Sequence, residues 1–390
     1  MLQIDHIYEF FYSTFKNVDV HFFNRGIIED SNYYVFNGTR NAPKILFYDQ
    51  EPLVPQLAKF YFKAFKTITA ILVDPKIALP ALRSGQELPY GGQIGIVVTS
   101  EYSDLVNSLC EEYDFNQLYY FYHGFAALDW YRGFHALNYN KTVVRSYKYD
   151  FISMNRLVSN DRSYRCYFVS CLAEKGLLAR GQVSFGLPTE QAGWQEEILD
   201  ANTKLSAKAI AHIQAHLPNQ PLIIDNEHIQ GSASADIPRC TLDSFWHIVT
   251  ETVFYYDKLH LTEKIFKPIV SKQPFMLLAA PGNLEYLRSY GFKTFDGIID
   301  ESYDSIQDPD LRTEAVVAQL SWYCGLSDEE KLDIIRAAEP IIEHNFRHFY
   351  GEFKQIIVKE LLGNTKTLFQ ATGYDDQHID YNSIQHILTH

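Results

Sequence analysis

The sequence predicts an α/β protein of two halves, each a mainly parallel sheet with crossover helices. Three observations carry that expectation. Short runs rich in Ile, Val, Tyr and Phe, bounded by Gly, Pro or Asp, alternate with longer stretches of helical spacing. The alternation restarts after about residue 145. The chain has 390 residues, enough for two domains with their own cores at roughly 100–200 residues per domain.

In the first half, strands are expected at 44–49 (KILFYD), 69–73, 94–100 (IGIVVTS) and 118–122, with a helix over 55–65. In the second half, 151–155 reads as a strand. Residues 162–178 read as a helix with Tyr164, Tyr167, Phe168, Cys171 and Leu172 as apolar positions. Residues 182–185 and 221–225 (PLIID) read as strands. A short helix follows over 262–271, then a buried strand over 274–280 (PFMLLAA), then a helix over 283–290 stopped by Gly291. From Ser327 the pattern is helical. Leu332, Ile335, Ala338 and Ile342 form one stripe, and Phe346, Phe349, Tyr350, Phe353, Ile357 and Leu361 another. Past Gly363 the pattern fades into a polar tail. The expected division is 1–145, 146–345, and a C-terminal helix and polar tail over 346–390. Two such halves in tandem imply a ligand cleft between them, at the carboxyl ends of the strands.

Composition narrows the function. A net charge of −14 repels polyphosphate at long range, so a general nucleic-acid role loses weight, while a local basic pocket can still hold a phosphorylated small molecule. Aromatic residues make up 15% of the chain; most belong to cores, and some can line sugar or base pockets. Cys110, Cys166, Cys171, Cys240 and Cys324 are odd in number and form no Cys-x-x-Cys pair. They predict free thiols in a reducing compartment, without a disulfide framework or structural zinc. The N-terminus has no basic region followed by an apolar run, and no stretch has the roughly 18 apolar residues of a membrane span. A cytoplasmic, soluble protein is expected.

No Gly-x-Gly-x-x-Gly, Walker-type loop, Gly-x-Ser-x-Gly elbow or His-Glu-x-x-His helix occurs. Asp375-Asp376 lies in the polar tail, and no metal site is expected. The most informative segment is 245–304. Thr262 suits a helix N-cap, and a helix start offers N–H groups and partial positive charge to a diphosphate. Lys264 adds a full charge there, and Glu263 suits the two hydroxyls of a ribose.

With Glu251, the aromatic stretch Phe254-Tyr255-Tyr256, Thr262-Glu263-Lys264 and Pro274, this segment resembles the donor-binding segment of the alpha-1,3-fucosyltransferase family and its phage and bacterial relatives. Thr252 stands where that family has Asn, and Lys267-Pro268 is unlike its pattern. The resemblance implies a GT-B-like fold: two Rossmann-like domains facing a central cleft, with C-terminal helices. It implies Glu263 on the ribose, Lys264 on the phosphates and Glu251 as a donor-site carboxylate. The family also begins its donor domain with a strand, a Ser-Asn pair and a diphosphate-clasping Arg. Ser153, Asn155 and Arg165 fit that layout, with Arg156 and Arg162 as competitors for the arginine role. A catalytic Glu in an early loop points to Glu51 as the general base, with Asp49 the alternative. His123, Asp129 and Trp130, with Arg132 nearby, are the candidate acceptor site, Trp130 stacking on a sugar ring.

The implied activity is transfer of a sugar from a nucleotide donor to a hydroxyl acceptor such as a glycan, inverting and metal-independent. No cofactor is expected beyond the donor itself, a GDP-sugar ahead of others. Two rival readings stand beside it: a non-catalytic nucleotide- or sugar-binding protein on the same fold, and a phage DNA-base glycosyltransferase.

Overall fold

A computed structural model describes residues 5–15, 19–22, 34–35, 43–49, 55–89, 92–131, 145–155, 157–158, 160–186, 204–220, 222, 224, 239–374, 377, 379–382 and 384. The chain forms two compact units, Met1–Asp129 with Lys354–His390, and Trp130–Phe353. The divisions fall at 129 and 353, against 145 and 345 in the sequence reading. Each unit is a mixed α/β structure built on a parallel sheet.

Unit 1 opens with helix Asp5–Thr14 (α1), strands Asp19–Phe22 (β1), Tyr34–Val35 (β2) and Lys44–Tyr48 (β3), and helices Pro55–Val73 (α2) and Pro75–Ser84 (α3). Strand Gly92–Thr99 (β4), helix Asp104–Tyr113 (α4), strand Phe115–Tyr119 (β5) and helix Tyr122–Tyr131 (α5) follow. The sheet order is β2-β1-β3-β4-β5, with only β2 antiparallel. Every residue of β3 is buried, the pattern of a parallel strand covered on both faces.

Two expectations fail here. Residues 69–73 are the last turns of α2, not a strand. Their β-branched residues favour a strand locally, yet Ala58, Phe62, Phe65, Thr69 and Val73 are buried at steps of three and four, so core packing sets the helix. The helix ends at Asp74, whose carboxylate caps α3 at the Lys76 N–H. The strand expected at 118–122 lies earlier, at Phe115–Tyr119. After it the Tyr122 N–H donates to Ser100 Oγ and the chain turns into α5.

Unit 2 contains strand Tyr149–Asn155 (β6), helix Tyr164–Glu174 (α6), strand Gly181–Phe185 (β7), helices Ala207–His216 (α7) and Arg239–Leu242 (α8), and strand Ser244–Thr250 (β8). Then come helix Glu263–Val270 (α9), strand Phe275–Leu278 (β9) and helices Asn283–Ser289 (α10), Pro309–Gly325 (α11) and Asp328–Tyr350 (α12). The order is β7-β6-β8-β9, all parallel. The helix expected over 162–178 is shorter: α6 stops at Glu174, and 3-10 turns occupy Asn160–Arg162 and Leu177–Ala179. Of the strand expected at 221–225, residues 221, 223 and 225 lie outside the described residues, and Leu222 makes an isolated antiparallel bridge to Phe185. Gly291, at φ 91°, follows α10 as expected; a Cβ there would also meet the His348 ring at 2.7 Å.

The last long helix, Phe353–Thr372 (α13), belongs to unit 1 from Lys354 onward. It continues nine residues past Gly363, so the polar tail expected there is corrected. Thr365 and Thr372 are buried, with their hydroxyls donating to the carbonyls of Leu361 and Leu368, and Leu368 and Phe369 are buried beside them. None of the five cysteines is in a disulfide. Among the described residues no helix is long and apolar enough to cross a membrane.

Candidate functional site

In unit 2 the chain runs from β6 to β7 on one side, then crosses back past β6 to β8 on the other. Strand order therefore reverses between β6 and β8. Loops leaving two such neighbours diverge, and a crevice opens at their carboxyl ends. Ser153 and Asn155 end β6, Thr250 ends β8, and Glu251 and Thr252 follow it.

The two strand ends are tied together. Asn155 Nδ2 donates to Ser153 Oγ at 2.9 Å and to the Ser184 carbonyl of β7 at 3.2 Å. Thr250 Oγ1 donates to Asn155 Oδ1 at 2.9 Å. All of Ser153, Asn155 and Thr250 are buried, so these polar groups cross-link β7, β6 and β8 at their carboxyl ends.

Glu251 is fully buried. Thr262 N–H donates to its Oε1 at 3.1 Å, while the Thr262 hydroxyl, at 2.5 Å, and the Thr252 N–H, at 3.2 Å, donate to Oε2. The carboxylate thus lies against the start of α9, where partial positive charge favours it. Burial pushes its pKa up, opposed by the Lys264 charge and the Thr262 hydrogen bonds, and reinforced by Glu263.

Thr262 is the N-cap of α9, accepting from the Lys264 N–H at 3.4 Å. The Lys264 ammonium folds back over the same cap. It lies 3.0 Å from Thr262 Oγ1, 3.3 Å from Thr252 Oγ1 and 3.1 Å from Glu263 Oε1. Its side chain keeps 35% of its exposure against 11% for Glu263, so it is the charged group here that meets solvent.

Arg165, which the resemblance puts on the diphosphate, reaches main-chain carbonyls. Its Nη1 donates to the Leu157 carbonyl at 2.8 Å, and its Nη2 to the carbonyls of Thr250 at 2.7 Å and Glu251 at 3.2 Å. It is 3% exposed and ties the chain leaving β6 to the chain leaving β8. Tyr164 adds a bond from its hydroxyl to the Glu251 carbonyl and stacks on Phe254 at 3.8 Å. Arg312 of α11, which sequence reasoning missed, does the same work further along. Its Nη2 donates to the Phe254 carbonyl at 2.7 Å, and its guanidinium lies 4.4 Å from that ring. Burial lowers its pKa to about 10. Nothing local in the sequence separates such an arginine from a surface one.

At the rim, the Tyr256 hydroxyl lies 3.4 Å from Asp161, and the Lys204 ammonium sits 3.4 Å from the Tyr256 ring centroid. The structure thus gathers Ser153, Asn155, Arg165, Glu251, Thr262, Glu263 and Lys264 at one edge of one sheet.

In unit 1, Asp49 follows β3 and is buried, taking hydrogen bonds from the hydroxyls of Tyr120 at 2.5 Å and Tyr8 at 3.2 Å. Glu51 lies outside the described residues, as do Arg132 and Arg156. His123 and Asp129 are carried by α5, with His123 buried in its first turn. Trp130 is half-buried near the end of that helix, and Arg162 is half-buried in the 3-10 turn. Comparison of the chain with protein-family models, curated proteins and solved structures finds no match.

Proposed function

We propose that unit 2 binds the nucleoside diphosphate part of a nucleotide sugar, and that the protein is a GT-B-like glycosyltransferase. The observation that carries this reading is the strand reversal between β6 and β8, with Lys264 at the first turn of a helix beside it. Such reversals hold nucleotides across α/β proteins, and an ammonium at a helix start suits their phosphates. Arg165 acts in this reading as a positioning residue, and Glu263 is the ribose acceptor. Glu51 is the base that takes the acceptor's proton.

The test is a thermal-shift screen against UDP, GDP, CDP and their sugars, followed by titration of the best ligand. One nucleotide is expected to raise Tm, and Lys264→Ala to weaken it by about tenfold or more, the loss of one charge-assisted contact. Glu51→Gln is expected to abolish turnover and keep nucleotide binding. A screen in which no nucleotide stabilises the protein, or a Lys264→Ala protein of unchanged affinity, overturns the reading.

A further inference from the structure

Away from that edge, Glu174, His212 and His216 bring a carboxylate oxygen and two imidazole nitrogens within 4.8 Å of one another. Glu174 is the last residue of α6, and the two histidines are one turn apart near the end of α7. We propose that this cluster is a binding site for a divalent transition metal of the zinc type, clamping the end of α6 to the end of α7.

The geometry of His212 carries the argument. Ser170 is fully buried, and its hydroxyl lies 2.7 Å from the Tyr167 carbonyl and 2.9 Å from His212 Nδ1. A carbonyl only accepts, so the single hydroxyl proton goes to Tyr167, and Nδ1–H must donate to Ser170 Oγ. Tyr167 packs edge-on against the imidazole at 5.4 Å and holds its plane. Nε2 is then the outward nitrogen, and it faces Glu174 Oε2 at 3.3 Å. A lone pair and a carboxylate at that distance repel unless a cation lies between them. That cation is a proton or a metal ion.

Four features favour the metal. Ligand atoms on a tetrahedron of about 2.0–2.1 Å radius are separated by about 3.3–3.4 Å, the spacing already present between Nε2 and Oε2. His216 stands one turn from His212 with ring centroids 4.6 Å apart; being exposed, like Glu174, it has freedom to close the remaining gap. Helix C-termini also carry partial negative charge, and two of them meet here. A hydrogen-bonded Nδ1 is the usual support of a metal-ligating imidazole. Three protein ligands leave the fourth position to water.

The experiment titrates the intact protein with zinc chloride by calorimetry and with cobalt chloride by visible absorption. One zinc per chain is expected, with a Tm rise of about 2–4 °C at saturation and the intense d–d bands of a tetrahedral cobalt centre. His216→Ala and Glu174→Gln change exposed side chains, and each is expected to weaken the metal by at least about tenfold. Failure to bind zinc overturns the proposal. Binding that both variants leave unchanged places the ion on other histidines and overturns it equally.

Discussion

His247 sits in the middle of β8 with its ring fully buried, and it stays neutral there. Gln273 donates from Nε2 to the carbonyls of Thr241 and Ser244, which leaves its Oε1 to face His247 Nδ1 at 3.3 Å. Burial, with Lys267 adding to it and Gln273 opposing, lowers the pKa to about 3 from an ordinary 6.5. The folded state therefore binds fewer protons than the unfolded state between those values. Stability from this group is fully present above pH 6.5 and is lost as pH falls towards 3, by on the order of 4 kcal/mol. Urea unfolding of the wild type and His247→Gln from pH 7 to 4.5 is expected to show a shallower acid limb in the variant. An unchanged slope would exclude His247 as a source of acid sensitivity. The site was legible in part at this scale. Thr262, Glu263 and Lys264 were readable as a cap, an acid and a cation, because those roles are local. The pairing of Thr262 with Glu251 was not, and neither were the carbonyl bonds of Arg165 and Arg312. A guanidinium's choice between phosphate, carboxylate and main chain is made by the fold. The grouping of Glu174, His212 and His216 went unread, because Glu174 comes from another helix.

Asp304, in the 3-10 turn Ser302–Ser305, shows how one element can set the pH response of another. It stands at the start of α10, where its Oδ2 accepts the Leu284 N–H at 3.1 Å and its carbonyl accepts the Gly282 N–H at 2.8 Å. A helix start should hold a carboxylate low, yet burial dominates and raises this one to about 6. The sign is opposite to that of His247. Because the folded pKa lies above the ordinary 3.8, the folded state binds more protons, and stability falls as pH rises from about 4 to 6. Asp304→Asn keeps an oxygen for the Leu284 N–H and cannot ionise. Relative to the wild type it is expected to gain on the order of 2 kcal/mol between pH 4 and 7, read from unfolding midpoints across that range. A variant tracking the wild type throughout would contradict the assignment. Elements were legible where local preference and packing agree, as in β3, β4, β6, β7, β9 and α9. They were missed where the two conflict. The β-branched end of α2 reads as a strand but packs by helical spacing. β8 mixes His247 and Trp246 into a strand buried on both faces, so no alternation marks it. The end of α13 hides its core face behind threonines whose hydroxyls are satisfied within the helix.

At the scale of the whole chain, unit 1 is discontinuous: the polypeptide leaves it near residue 129 and returns at 354. The returning segment is part of its core. Val358, Leu361, Leu368 and Phe369 of α13 are buried, as are Ile379 and Ile384 beyond it. Phe369 meets Phe15 edge-on at 5.2 Å, Asn364 donates to the Tyr119 carbonyl at 2.9 Å, and the Asp380 N–H donates to Thr14 Oγ1 at 3.1 Å. The last helix thus closes on the first helix and on the end of β5. At roughly 1.5–3 kcal/mol for each fully buried apolar side chain, these residues contribute about 10 kcal/mol or more. That equals the whole net stability of an ordinary domain. A chain ending at Phe353 keeps every residue of unit 2 and is expected to lose the fold of unit 1. Limited proteolysis with mass analysis should find rapid cleavage within 5–129 and a persistent fragment covering unit 2, 130–353, and circular dichroism should show a matching loss of helix. Equal protease resistance in both regions would mean that the N-terminal segment folds without the returning helix, and that the buried face of α13 is dispensable to it.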